Sequence, residues 1–350
     1  MSRIPALVLG ATGTVGQRFV ELLADHPWFE VVALAASERT AGRRYGDVCR
    51  WRGETPMPAA AAERVVQRAD ACLPGDIVFS ALDADTAREV EPAFAAAGRP
   101  VFTNARTFRM DPDVPLVVPE VNADHLALLG AQRRGRGWSG CIVANPNCAT
   151  AAITLALAPL ARGFGLASVC ATTLQAVSGA GYPGVASLDI LGNVVPCIPG
   201  EEEKIETETL KVLGRRTGEV IEPHGAMVSA QTTRVPVLDG HLAALFVRLD
   251  DPAEPAAVRE ALAGFRGEPQ ALALPSAPAQ PVVTRDEADR PQPRLDARTG
   301  GGMSVVVGPV RPAAGGFKLM VLGHNTIRGA AGAALLNAEL CVAQGLLGGR

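Results

Sequence analysis

Three features of the sequence predict an α/β fold of two domains. A short apolar strand at residues 6–9 leads directly into a glycine-rich turn and a helical pattern, which is how a doubly wound parallel sheet begins. The chain of 350 residues is longer than one hydrophobic core usually serves. The pattern then changes after residue 147. We expect a dinucleotide-binding domain over residues 1–147, onto which a C-terminal helix (326–350) packs, and an α+β domain over residues 148–325.

Composition excludes several classes of function. The net charge of −3 gives no reason to expect nucleic acid or an anionic membrane as partner. No apolar run reaches membrane-spanning length, and the N-terminal run is too short for a secretory signal. The seven cysteines are scattered without CxxC spacing, which argues against a disulfide framework and against a structural zinc site. We therefore expect a cytoplasmic protein without bound metal.

The glycine-rich turn is the first candidate site. Gly10, Gly13 and Gly16 follow the first strand with GxxGxxG spacing and open the first helix. Glycines let backbone N–H groups approach a pyrophosphate, and the helix N-terminus favours its negative charge. The motif predicts a Rossmann-type dinucleotide site; the alternative is a tightly packed strand-to-helix turn.

The end of the second strand, over residues 30–35, indicates which dinucleotide is bound. A cofactor with a free ribose 2′-hydroxyl usually meets an acidic residue there. Ser37 and Arg39 could instead donate hydrogen bonds to a 2′-phosphate, which favours NADP over NAD, although Glu38 lies between them. Arg39 could equally be a solvated surface charge.

Two later strands of the first domain end in further candidates. The strand over residues 76–82 ends in Ser80, Ala81 and Leu82, which we expect near the cofactor because open α/β sheets bind ligands at this edge.

The strand over residues 100–103 is followed by Arg106 and Arg109. Arginines beyond a strand end suit an anion, but surface arginines are the alternative.

Cys148 is the candidate nucleophile. A strand at residues 141–144 and an Asn-Pro-Asn turn at 145–147 place it at the start of an apolar helix. The unpaired N–H groups and dipole of a helix start lower the pKa of a thiol and activate it. The alternative is a small buried apolar side chain.

The second domain contains several polar residues that are candidates for the site. A strand over residues 168–175 ends at Gln175 in a glycine-rich loop, and residues 200–213 form a charged helix. Glu208 and Lys211 share a face of that helix, as ligand-binding groups or as a solvated salt bridge.

An Asp-Gly turn joins the strands over residues 229–237 and 241–249. Arg234 and His241 therefore flank one turn. His241 is either a catalytic base or a structural histidine.

The last part of the chain is predicted to contain a proline-rich stretch, two strands and a helix. The proline-rich stretch over residues 267–301 is interpreted as an ordered excursion or a dimer arm. Strands over residues 304–312 and 317–323 follow, and a helix over residues 326–347 ends the fold.

Taken together, these segments resemble the aspartate-semialdehyde dehydrogenase family, in the branch found in archaea and fungi. The similarity covers essentially the whole chain. It rests on nine blocks in the same order: GATGTVGQRFVELL, ASERTAGRRYGD, PLVVPEVN, NPNCAT, LQAVSGAGYPG, GEEEKIETETLKVLG, RVPVLDGH, DRPQPRLD and GHNTIRGAAGAA. The residues that depart slightly from the family pattern are Ala149, Cys197 and Pro199.

The resemblance implies roles for individual residues. Cys148 would be the nucleophile, His241 the general acid and base, and Gln175 would orient the substrate. Arg234 would bind the substrate carboxylate and Glu208 its amine. Arg109 and Lys211 would hold phosphate, with Asn147 among the substrate contacts. The implied NADP contacts are Gly10, Thr12, Gly13, Thr14, Val15, Ser37, Arg39, Ser80, Ala81, Leu82, Ser178, Gly179 and Asn325.

The resemblance also implies a reaction. Cys148 would take the acyl group of L-4-aspartyl phosphate as a thioester, and NADPH would reduce it to L-aspartate 4-semialdehyde, a step toward lysine, methionine and threonine. The alternatives are a malonyl-CoA reductase, an N-acetyl-glutamyl-phosphate reductase, or a non-catalytic NADP-binding protein. A homodimer or homotetramer is expected.

Overall fold

The computed structural model describes residues 3–347, and its first sheet has five strands within that range, all parallel. The strands are β1 (Ile4–Leu9), β2 (Phe29–Ala35), β3 (Ile77–Ser80), β4 (Pro100–Thr103) and β5 (Cys141–Ala144). Their order is β2-β1-β3-β4-β5. The chain reverses its direction of travel between β1 and β3, and such a switch point opens a crevice at the carboxyl ends of the strands.

Helices flank this sheet on both faces. They are α1 (Thr14–Leu23), α2 (Tyr45–Val48), α3 (Ala59–Ala62), α4 (Ala84–Ala96), α5 (Pro119–Asn122) and α6 (Leu128–Arg136), with a 3₁₀ turn at Ala123–Ala127. Helix α4 begins after Asp83, which caps it by accepting hydrogen bonds from the N–H groups of Asp85 and Thr86.

The second sheet is mixed, with seven strands in the described part of the chain. Its order is β12-β13-β14-β11-β6-β10-β7, and a separate two-stranded ribbon pairs β8 with β9. The strands are β6 (Ser168–Gln175), β7 (Val195–Pro196), β8 (Arg215–Thr217), β9 (Val220–Glu222), β10 (Met227–Arg234), β11 (His241–Arg248), β12 (Val282–Thr284), β13 (Val305–Ala313) and β14 (Gly316–Gly323). This confirms the predicted fold class, an α/β dinucleotide-binding part followed by an α+β part.

The remaining helices belong to the second half of the chain. They are α7 (Cys148–Phe164), α8 (Ser187–Ile190), α9 (Glu201–Val212), α10 (Pro255–Gly264), α11 (Glu268–Ala271), α12 (Pro293–Asp296) and α13 (Gly332–Ala343). Short 3₁₀ turns cover Val177–Ala180 and Thr299–Gly302, and a π-helical turn covers Ile327–Ala331. The single helix predicted over residues 326–347 is thus a π turn followed by α13, and residues 348–350 lie outside the described part of the chain.

Helix α7 links the two sheets. Its Leu155 lies in one buried cluster with Val101 of β4 and Leu245 of β11. A second cluster covers the other face of the first sheet, where Leu335 of α13 joins Phe102. The C-terminal helix therefore packs on the first sheet; the exact domain boundary at residue 147 remains a prediction.

Two predicted strands are wrong in their extent. The strand expected over residues 76–82 covers only Ile77–Ser80. The strand expected over residues 229–237 ends at Arg234, because the N–H of Val237 turns back to the carbonyl of Val235 and Pro236 has no N–H to give to a ladder. No helix in residues 3–347 is both long and apolar enough to cross a membrane.

Candidate active site

Cys148 is the first residue of α7, and Asn147 caps that helix. The Asn147 side-chain oxygen accepts the N–H groups of Ala149 at 2.9 Å and Thr150 at 3.3 Å. The cap fixes the turn through which the chain enters the helix. The predicted strand, turn and helix around Cys148 are all present, and the half-buried cysteine sits at the carboxyl edge of β5.

The prediction that the start of the helix gives the Cys148 thiol a lowered pKa is wrong. Burial raises the pKa of the thiol to about 12, and the nearby Glu201 carboxylate adds to the rise. The charges of Arg109 and Arg234 and the N–H of Ala149 act in the opposite direction. Loss of hydration thus outweighs the favourable start of the helix.

His241 is held by the backbone of Ala176. Its Nδ1 accepts the Ala176 N–H at 3.0 Å, so the neutral ring carries its proton on Nε2. The Nε2 atom is buried and has no hydrogen-bond partner in residues 3–347. Burial lowers the pKa of His241 to about 3, and Arg234 lowers it further while Glu201 opposes the shift. His241 is therefore a neutral hydrogen-bond donor.

Arg234 is anchored by the same residue. Its Nη1 donates to the carbonyl of Ala176 at 2.8 Å. A Cβ placed on Gly179 would lie 2.8 Å from Arg234 Nη1 and 2.9 Å from His241 Nε2. The loop after β6 therefore passes directly against both side chains, and only glycine fits there.

Glu201, which the sequence analysis did not select, lies within this group. Its Oε2 accepts the side-chain amides of Asn147 at 2.7 Å and Gln175 at 3.4 Å, and its Oε1 accepts Lys204 Nζ at 2.7 Å. Burial opposes the charge of Glu201, but Lys204, Asn147 and Gln175 outweigh that effect and lower its pKa. Glu201 is thus an ionised carboxylate beside the candidate nucleophile.

Glu208 and Lys211 have partners other than those predicted. Each Glu208 oxygen already accepts a hydrogen bond, one from Arg109 Nη1 at 3.0 Å and one from the backbone N–H of Asn147 at 2.5 Å. Lys211 Nζ donates to the carbonyls of Arg109, Asp111 and Val114 at 2.7, 2.8 and 3.0 Å. An ammonium has three donor hydrogens, so none remains for phosphate. The geometry therefore argues against Lys211 as a phosphate ligand, and the amine contact of Glu208 remains a prediction.

The sequence did contain a signal for Glu201. Helix α9 has two Glu-x-x-Lys pairs, Glu201 with Lys204 and Glu208 with Lys211, seven residues apart. Seven residues are about two helical turns, so both pairs lie on one face. Periodicity could not tell which pair faces the ligand.

Arg109 uses only two of its five N–H donors, one of them in the bond from Nη1 to Glu208. Its Nη2 donates to the carbonyl of Asn104 at 2.8 Å, whereas its buried Nε has no partner in the described chain. The charge of Arg109 acts to lower the pKa of the Cys148 thiol. The other arginine of the predicted anion site, Arg106, is exposed.

The β1–α1 turn fits a dinucleotide. A Cβ on Gly10 would lie 2.5 Å from the carbonyl of Ala81, and one on Gly16 would lie 2.1 Å from the carbonyl of Gly10. Gly13 caps α1 without a side chain, and the first turn of α1 holds no acidic residue. The first N–H groups of α1 are thus open to a pyrophosphate.

The other predicted cofactor contacts surround this turn. Ser37 and Arg39 are exposed beyond β2, and Glu38 forms an exposed ion pair with Arg68 at 3.1 Å.

Asn325, another predicted cofactor contact, joins two loops. Its Oδ1 accepts the N–H of Gly240 at 2.9 Å, and its Nδ2 donates to Ser178 Oγ at 2.7 Å. Its side chain therefore ties the β10–β11 turn to the glycine-rich loop.

One group of side chains approaches metal-ligand spacing in the described residues. Glu54, Asp239 and His324 each offer an atom within 4.8 Å of the others. Glu54 is already paired with Arg298 and Arg18, so its charge is balanced within the chain. We assign no metal to this cluster.

Comparisons with known proteins agree over the whole chain. Residues 5–129 match the family model described as semialdehyde dehydrogenase, NAD binding domain, and residues 157–328 match that of the semialdehyde dehydrogenase dimerisation domain. The chain is 53% identical over 338 residues to aspartate-semialdehyde dehydrogenase of Methanothermobacter thermautotrophicus, covering 95% of this chain and 97% of that protein. It is 47% identical to the Schizosaccharomyces pombe protein of the same name, covering 97% and 98% of the two chains.

Solved structures give the same result. The chain matches aspartate semialdehyde dehydrogenase with NADP from Candida albicans with a TM-score of 0.90 and 42% identity, covering 98% of this chain and 99% of that one. It matches aspartate semialdehyde dehydrogenase II complexed with ASA from Vibrio cholerae with a TM-score of 0.77 and 28% identity, covering 98% and 99%.

Proposed function

This chain belongs to the aspartate-semialdehyde dehydrogenase family, and we propose that it catalyses the reversible NADPH-dependent conversion of L-4-aspartyl phosphate to L-aspartate 4-semialdehyde and phosphate, for the biosynthesis of lysine, methionine and threonine. One observation carries this proposal. The Cys148 thiol lies in the combined field of two cations and one anion, Arg109, Arg234 and Glu201. A substrate with a phosphate, a carboxylate and an ammonium group has a charge to match each of them.

The cysteine chemistry follows from this arrangement. The Cys148 thiol would give its proton to the departing phosphate as its sulfur bonds to the acyl carbon and the carbon–oxygen bond to phosphate breaks, giving a thioester and hydrogen phosphate. When bound, NADPH supplies a hydride to that carbon, and NADP takes it in the reverse direction. His241 Nε2–H would donate a hydrogen bond to the carbonyl oxygen while it is negative, which stabilises the tetrahedral state before the thiolate leaves again. The thiolate released when the aldehyde forms would take a proton from water.

This role is narrower than general acid and base. The Ala176 N–H occupies the lone pair of His241 Nδ1, so a second proton on the ring would cost that hydrogen bond. The proton on Nε2 can remain there throughout. We therefore assign His241 as an oxyanion donor, and the base role implied by the resemblance remains a prediction.

Substrate recognition uses the first Glu-x-x-Lys pair of α9. We place the substrate carboxylate on Arg234, its amine on Glu201 and its phosphate between Arg109 and Lys204. Gln175 and Asn147 hold the Glu201 carboxylate in place. This set replaces Glu208, which is buried more deeply than Glu201, and Lys211, whose three donor hydrogens are all engaged.

NADP would lie in the crevice at the carboxyl edge of the first sheet. The Gly10–Val15 turn would hold the pyrophosphate, with Ser37 and Arg39 at the 2′-phosphate. Asn325 and the Ser178–Gly179 loop would lie beside the nicotinamide. The first turn of α1, which has a glycine cap and no acidic residue, supports this placement.

We also propose a homodimer in the cytoplasm. Leu188 and Leu191, near α8, and Met227 of β10 are 92%, 71% and 72% exposed. They lie within the range matched by the dimerisation domain, and exposed apolar side chains of this size mark contact surfaces. Light scattering should give the mass of two chains. The cysteines of the described chain are all free, as in a reducing compartment.

Malonyl-CoA reduction is the alternative activity with the same cysteine chemistry. That substrate has no amine for Glu201. The test follows NADPH formation from L-aspartate 4-semialdehyde and NADP, with and without phosphate, and NADPH consumption with malonyl-CoA. Phosphate-dependent NADPH formation supports the proposal; turnover of malonyl-CoA alone contradicts it.

A further inference from the structure

The second Glu-x-x-Lys pair of α9 is almost completely buried. Glu208 is 2% exposed and Lys211 is 6% exposed. We propose that these two are positioning residues, which brace the Arg109 segment against the turn before Cys148 and so set the affinity for phosphate without touching it. This proposal rests on the proposed function, because it takes Arg109 as the phosphate group's partner.

Glu208 connects the two halves of the site. One of its oxygens holds the Arg109 guanidinium, and the other holds the backbone N–H of Asn147, the residue before the candidate nucleophile. A charged hydrogen bond at each end of one carboxylate fixes both the distance and the angle between them. With Nη2 on the carbonyl of Asn104, the guanidinium has only one orientation, with Nε left unpartnered.

Lys211 shapes the backbone that carries Arg109. Its ammonium donates to three carbonyls of the segment that begins at Arg109 and ends at Val114. These carbonyls converge on one buried atom, so the segment wraps around it. A compact ammonium with three rotatable donors suits this geometry, which a planar guanidinium would not reproduce.

The segment has an independent support on its other side. Arg136 donates to the carboxylates of Asp111 at 2.7 Å and Asp113 at 2.5 Å. Loss of Lys211 should therefore leave the segment attached but let its Arg109 end shift. A shift of this kind moves the phosphate contact and leaves the binding of NADP and aldehyde largely intact.

The test is a double-mutant cycle on the full-length NADP-loaded protein, with inorganic phosphate as the varied ligand. The variants are Glu208→Gln, Lys211→Met, Arg109→Met and the two pairs that contain Arg109→Met. We expect each of the first two to raise the KM for phosphate about tenfold or more, with the KM for aldehyde changed less than about twofold. Glu206→Gln, on the same helix, is the matched control and should change neither KM. Glu206 accepts the N–H of Ala230 of β10, and a glutamine oxygen can still accept it.

Non-additivity decides between positioning and direct contact. If Glu208 and Lys211 act through Arg109, each double variant should have the phosphate KM of Arg109→Met alone. Fully additive losses, or an unchanged phosphate KM in Lys211→Met, would overturn the proposal. Circular dichroism and NADP affinity show whether each variant is folded. If Glu208→Gln does not fold, the cycle with Lys211→Met alone decides between positioning and direct contact.

Failure of the proposed function gives a different result. In that case the wild type shows no phosphate-dependent turnover. The brace is then tested by phosphate-induced thermal stabilisation of the NADP-loaded chain, which needs no turnover. Phosphate should stabilise Lys211→Met less than the wild type, and it should stabilise the double variant with Arg109→Met equally little. If phosphate stabilises Lys211→Met as much as the wild type, the positioning role of Lys211 is contradicted.

Discussion

His241 accepts the backbone N–H of Ala176 on Nδ1 at 3.0 Å, and this one bond leaves Nε2 as the ring nitrogen that carries the proton. The Ala176 carbonyl accepts Arg234 at 2.8 Å. A single residue after β6 therefore orients both the proposed oxyanion donor and the proposed carboxylate partner. Because these are backbone contacts, side-chain substitution at Ala176 leaves them in place.

The first prediction concerns the protonation of Cys148. With its pKa raised to about 12 and that of His241 lowered to about 3, the pair is neutral near neutral pH. Alkylation of Cys148 by iodoacetamide in the free enzyme should rise about tenfold per pH unit from about pH 6 to 9, with no step near the usual histidine pKa of about 6.5. A plateau of the rate below about pH 8 would show a thiolate–imidazolium pair instead.

The second prediction separates two effects of Glu201. Glu201→Gln should raise the KM for the amino aldehyde by about tenfold to a hundredfold, because the amine loses its charged partner. The same change should speed alkylation of Cys148 at neutral pH, because Glu201 raises the thiol pKa. Glu203→Gln, an exposed neighbour on the same turn, serves as control and should alter neither. Slower alkylation in Glu201→Gln would refute the electrostatic contact.

The third prediction concerns the contact of Gly179 with Arg234 and His241. Gly179→Ala would place a methyl group 2.8 Å from Arg234 Nη1 and 2.8 Å from His241 Cε1. We expect kcat to fall about a hundredfold, since a misplacement of about 1 Å can cost that much, with little change in melting temperature. Gly225→Ala, at a site with open space around it, should retain full activity. Normal turnover of Gly179→Ala would mean that this loop moves away during catalysis.

The fourth prediction tests a buried acid in the first domain. Burial raises the pKa of Glu91 to about 7, although the nearby Ser80 hydroxyl and the hydrogen bond that Thr103 donates at 2.6 Å act to lower it. In the unfolded chain the Glu91 carboxyl group ionises near pH 4.5. Its burial therefore costs no folding stability below that pH. The loss of stability grows as the pH rises and reaches about 3 kcal/mol above pH 7.

Glu91→Gln should therefore stabilise the protein at about pH 8 relative to wild type, and much less at about pH 5. Thermal melts at the two pH values measure the difference. Glu89→Gln, exposed on the same helix, is the control. An equal change in melting temperature at both pH values would show that Glu91 does not titrate in this range.

The fold could be read largely from the sequence where strands are short and fully buried. The bounds of β4 and β5 match the prediction, because apolar runs bounded by turn residues leave one interpretation. The bounds of β6 also match, although burial alternates along that strand. The strand toward residue 237 was overextended because alternation continues past Arg234, where Pro236 ends the ladder.

The site was less predictable for two physical reasons. The two Glu-x-x-Lys pairs share one helical face, so only tertiary packing decides that Glu201 lies beside Cys148 and that Glu208 is bonded to Arg109. The direction of the Cys148 pKa shift depends on how much water the fold removes from the sulfur, and no local pattern contains that quantity. The start of the helix could be predicted; the burial that outweighs it could not.

The central claim is that Cys148 forms the covalent intermediate. Protein incubated with NADP and L-aspartate 4-semialdehyde in the absence of phosphate, then quenched in acid and digested, should carry an aspartyl thioester on the Cys148 peptide by mass spectrometry. Addition of phosphate before quenching should remove it, and Cys148→Ser should not form it. A thioester on another cysteine, or phosphate-dependent turnover that survives in Cys148→Ser, would contradict the account.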